Sequence, residues 1–183
     1  PSLTHPFMSI KQLNASYVAE EDRVVLRITT NDDNEYRLLL TRAMVKDLLG
    51  LVRHVQLAQA VSQHLAPLAA EIAEFKQQVQ LNNARFTEFE PASRLPLGDQ
   101  PLIVRKAGIQ SESGGHVLAL NLPGKLLKLP LTDELTAQIG VVLQTIASHA
   151  QWDLPAVGAP TGVEDKSTSP GQFADKASPK LLH

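Results

Sequence analysis

Arg23, Arg27 and Arg37 are the side chains whose type and spacing come closest to a site in this sequence. Arg23 and Arg27 alternate with Val24, Leu26 and Ile28, a period of two that puts the apolar residues on one face of a strand and the arginines on the other. Arg37 sits in the same way between Tyr36 and Leu38, and Arg42 follows just beyond. Guanidinium groups on neighbouring strands form a compact basic patch able to hold phosphates or the carboxylates of a partner. The plainer reading pairs them with Glu35 and the acidic turns, because outward arginines commonly solvate a sheet.

Other reactive-looking groups lack the geometry their chemistry needs. Two zinc-ligating histidines on one helical face stand four residues apart, and no pair among His5, His54, His64, His116, His149 and His183 does. Asp32-Asp33-Asn34-Glu35 lacks the central glycine and the distant glutamate of a calcium loop and reads as a hairpin turn. Glu20-Glu21-Asp22 reads as a solvated turn, since paired carboxylates must face each other across a cleft to work as acid and base. Ser111, Ser113, Gly114 and Gly115 match neither a nucleophile elbow nor a phosphate-binding glycine loop. The expectation is a protein without catalysis, metal or cofactor.

The elements that would carry the arginines are written twice. A shift of 91 positions, the step from Leu38 to Leu129, superimposes Leu38, Leu40 and Thr41 on Leu129, Leu131 and Thr132. The same shift carries Met44, Leu48, Leu51, Val52 and Val55 onto Leu135, Ile139, Val142, Leu143 and Ile146. Each copy reads as three antiparallel strands and an amphipathic helix opened by a threonine N-cap. The expected fold class is α+β, a duplicated meander plus helix (βββα-βββα) with sheet packed against helices.

In the first copy the strands are expected at Ile10 to Val18, from Arg23 to Thr29, and from Tyr36 to Leu40. The helix from Arg42 is long, and Pro67 is placed to open a second one behind it. Phe86 to Glu90 suggests a short strand, and Pro91 to Pro101 a proline-punctuated connector. In the second copy Leu102 to Ile109 reads as one strand, followed by a hairpin through Leu122 and Leu131 and a closing helix to about Trp152. The organisation is an extension over 1–9, one domain over 10–152 with halves 10–81 and 86–152, and a low-complexity tail over 153–183 expected to be disordered.

Val117, Ala119 and Leu126 alternate onto the outward face of the second hairpin, where Lys128 is the main charge. An apolar outward face asks for cover, from the other half or from a second copy. These three residues are the expected interface of a homodimer.

A duplicated meander plus helix is similar in layout to PUR-type and Whirly-type single-strand nucleic-acid-binding proteins. That resemblance implies a sheet set against a nucleic acid with helices paired behind it. The composition pulls the other way: aromatic residues make up 4% of the chain and the net charge is −2, whereas single-strand binders use stacking rings and a basic groove. The chain has no cysteine, no secretory leader pattern and no run of apolar residues long enough to span a membrane, which leads to the expectation of a cytoplasmic protein. It is expected to bind or assemble with itself or an unidentified protein partner. Nucleic-acid binding through Arg23, Arg27, Arg37 and Arg42 is the alternative.

Overall fold

A computed structural model describes residues 8–62, 88–113 and 115–154. The strands β1 (Ile10–Val18), β2 (Arg23–Thr30) and β3 (Glu35–Thr41) form an antiparallel meander followed by helix α1 (Arg42–Ser62). After the connector come the short β4 (Leu102–Ile103), then β5 (Lys106–Glu112), β6 (Gly115–Leu122), β7 (Lys125–Leu131) and helix α2 (Asp133–His149). The result is an α+β fold with a four-stranded sheet, β1-β2-β3-β4, and a three-stranded sheet, β5-β6-β7.

Local chemistry explains the boundaries. The β1–β2 connection is a single 3-10 turn whose exit residue, Asp22, has φ 49°, and the β2–β3 turn holds Asp33 at φ 59°. Aspartate tolerates this left-handed region better than most residues. Gly124 at φ 68° closes the β6–β7 hairpin. Both helices open on the expected caps: the Thr41 hydroxyl accepts from the Met44 amide at 3.2 Å, and Thr132 accepts from Leu135 at 3.1 Å.

The apolar stripes of both helices meet in one core. Met44, Leu48, Val52 and Val55 are buried, and so are their counterparts Leu135, Ile139, Leu143 and Ile146, while Leu51 and Val142 are both half-buried. Helix α1 packs on β3 and on β5, and α2 packs on β7 and on β1, so each helix ties the two sheets together. The helices also pack on each other, and Gly140 permits their close approach. A Cβ there would stand 3.3 Å from a Val52 methyl carbon.

Some expectations meet a different outcome or fall outside the described residues. Leu102 to Ile109 is not one strand: β4 runs parallel to β3, the Val104 amide donates to the Leu39 carbonyl, and the next amide, Arg105, donates to Asn121 of the second sheet. The chain hands over between sheets at buried Val104, and the pattern misses this because both sheets accept the same extended backbone. Residues 88–90 form no strand, because the Gln12 side chain takes both the Glu88 carbonyl and the Glu90 amide in place of a backbone ladder. The expected helix from Pro67, residues 1–7 of the expected extension and the expected disordered tail from residue 155 onward lie outside the described residues.

Candidate functional site

The arginine-bearing face of the first sheet is a closed ionic assembly. Arg27 and Arg37 are directly opposite in register, and Glu35 lies one pair further along the same face of β3. The Arg27 and Arg37 Nε atoms donate to the same carboxylate oxygen of Glu35 at 2.8 and 2.7 Å. The other oxygen accepts from the Ala92 amide at 3.3 Å, and the Glu35 side chain is fully buried. Burial alone would raise the Glu35 carboxyl, but the hydrogen bonds and charges of Arg27 and Arg37 outweigh it, and the carboxyl is held below its ordinary range.

The connector closes this face. Residues 88–101 cross it, pinned where Lys11 meets Glu90 at 2.7 Å, where Phe89 stacks on the Arg27 guanidinium at 3.8 Å, and where Asp33 and Arg94 exchange backbone bonds with their neighbours across the gap. Arg37 Nη1 donates to the Asp99 carbonyl at 2.9 Å. Between strand and connector lies an open depression of about 290 Å³ lined by Val25, Arg27, Arg37, Asp99 and Pro101.

The remaining two arginines stand apart from this depression. Arg23 lies two residues from Val25 on the same face, opposite Thr41 and Val18. Arg42 leaves the sheet and reaches Asp22 at 3.3 Å, with its guanidinium 5.3 Å from the Trp152 ring. Asp22 is the centre of a second cluster that sequence reasoning takes for a solvated turn. One of its oxygens accepts from both Tyr17 Oη and Trp152 Nε1 at 2.8 Å, and these bonds hold its carboxyl below the ordinary range. The available signal was that the chain's single tryptophan stands at the boundary of the low-complexity tail.

The outward face of the second sheet differs. Ala119 is buried between Gly108 and Lys128, its neighbours in register, and Val117 is half-buried beside Gln110 and Pro130. Leu126 is 53% exposed, and Lys106, Gln110, Asn121 and Lys128 around it are exposed as well. Lys128 meets Glu112 at 2.9 Å, a bridge that must cross β6, the strand carrying Val117 and Ala119. So the structure brings Val117, Ala119 and Leu126 onto one face, of which Leu126 is the exposed apolar part.

Among the described residues no group of three or more His, Asp or Glu side chains is placed to hold a metal, and no helix is long and apolar enough to cross a membrane. Fold and faces together define an α+β protein of two sheets, a mixed one whose outward face is crossed by its own connector and an antiparallel one that exposes Leu126 on its outward face. Comparisons with protein-family models, with curated proteins and with solved structures find no match for this chain.

Proposed function

We propose that this protein is a non-catalytic binding and assembly protein that associates with a second copy of itself through the outward face of β5–β7. The observation that carries the reading is Leu126, more than half exposed on a sheet face whose counterpart in the first half is covered. The two faces follow the same strand layout, and the first takes up a proline-bearing segment held by hydrogen bonds at Glu88 and Glu90 near one end and at Asp99 near the other. The open face is also self-complementary. It is spanned by the ion pair of Glu112 on one edge strand with Lys128 on the other, across Val117 and Ala119 on the strand between, and that exposed pair can exchange partners with a second copy. A two-fold partner presents the same pair in the reverse order, which is what an isologous interface requires. Leu126 and Val117 supply the apolar contact, and the surrounding lysines form a solvated rim.

The duplicated βββα layout supports this reading. Two like halves with a shared core give a rigid block on which an outward face is held in fixed shape. Single-stranded nucleic acid remains the second reading only for the arginine face, and there the pairing of Arg27 and Arg37 with Glu35 and the cover of Arg27 by Phe89 weigh against a long binding groove. Molar mass in solution, compared between the native chain and Leu126→Asp, tests the proposal.

A further inference from the structure

The arginine depression has a feature that the ion pairs do not use up. Glu35 holds Arg27 and Arg37 only through their Nε atoms, and Phe89 covers one flat face of the Arg27 guanidinium. Both Nη atoms of Arg27 and Nη2 of Arg37 are left without a hydrogen-bond acceptor among the described residues, while both side chains line the depression. The charges are also uneven, with two guanidiniums against one buried carboxylate. Asp99, the one acid of the lining, is exposed and engages Arg37 through its backbone carbonyl, and Arg23 adds a further positive charge on the same face.

We propose that this depression is a binding site for one small oxyanion, a phosphate or carboxylate group, gripped by the Nη donors of Arg27 and Arg37. A guanidinium fixed at Nε and stacked on one face has already lost most of its rotamer freedom, so little further ordering opposes binding. Its planar Nη edge matches two oxygens of such a group. The depression is wide enough for a small anion and is walled on one side by Val25, whose apolar side chain strengthens the charge interaction by keeping water off it. Glu35 acts as the positioning residue, aiming two cations at one point and removing the repulsion between them.

The test follows the Arg27 and Arg37 Nε–H signals by NMR while inorganic phosphate, acetate or sodium chloride is added at matched ionic strength. Saturable shifts of both signals with phosphate or acetate, absent with chloride, are the expected result, and the stronger of the two anions identifies the group. Because Arg37→Gln takes one of two cationic partners from the buried Glu35 carboxylate and threatens the fold, the decisive variant is Val25→Glu. It leaves every ion pair intact and sets a carboxylate beside the two guanidiniums as a built-in competitor, which should weaken the anion at least about tenfold. Shifts that chloride reproduces equally, or binding in Val25→Glu as tight as in the native chain, overturn the proposal.

Discussion

The indole Nε1 of Trp152 donates to Asp22 Oδ1 at 2.8 Å, joining the end of α2 to the first turn of the chain across 130 residues. Tyr17 shares the same acceptor and meets the indole edge-on, with ring centroids 5.7 Å apart. The backbone supports the arrangement, since the Trp152 amide caps α2 on the Ala147 carbonyl. Trp152 therefore belongs to the core rather than to the low-complexity sequence that follows.

Asp22→Ala removes the acceptor of both ring donors and the partner of Arg42. Trp152 is the chain's single tryptophan, so its fluorescence reports this site alone. The expected result is a red-shifted emission in the folded protein and a lower Tm. An unchanged spectrum would show that the indole is held by packing alone.

Glu35 sets an acid limit on stability. Its carboxyl titrates lower in the folded protein than in the unfolded chain, where an ordinary glutamate sits at about 4.3, so the unfolded state binds its proton first as pH falls. Its contribution is complete above that unfolded value and is lost as pH drops through the folded one. Glu35→Gln should cost about 3 kcal/mol at neutral pH, since it leaves two arginines facing a neutral amide, and should flatten the fall in stability on the acid side. Denaturant titrations at neutral pH and across the acid range read both effects. Asp22, Asp33 and Glu90 are also held low, so part of the acid slope remains in the variant.

The two threonine caps occupy corresponding positions of the repeated pattern and make the same bond. Thr41→Ala and Thr132→Ala should each cost about 1 kcal/mol, measured by chemical denaturation. Near-equal losses are expected from the equivalent geometry. A loss at one end only would mean that the two helix starts differ in how tertiary packing holds them.

Much of this fold is legible in sequence because its determinants are periodic. Val24, Leu26 and Ile28, or Leu127, Leu129 and Leu131, announce a one-sided strand, and the stripes from Met44 and Leu135 announce helices whose inner faces are buried as the pattern requires. The hand-over at Val104 left no mark, because a strand's period does not say which sheet it joins. The site was legible only in its strand-borne part. Arg27, Arg37 and Glu35 share a face by alternation, but Phe89, Ala92 and Asp99 reach them from an aperiodic connector more than fifty residues away. Asp22 escaped notice for the same reason, since its partner Trp152 is distant in sequence.

The most direct test of the self-association claim is sedimentation equilibrium of the native chain beside Leu126→Asp and Val61→Asp. Val61 is the other large apolar side chain standing exposed among the described residues, 51% against 53% for Leu126, and it lies near the end of α1 rather than on the open sheet. The account predicts a native dimer, a monomer for Leu126→Asp with unchanged circular dichroism, and a dimer for Val61→Asp. A native monomer, or a dimer that survives Leu126→Asp and is lost in Val61→Asp, would contradict it.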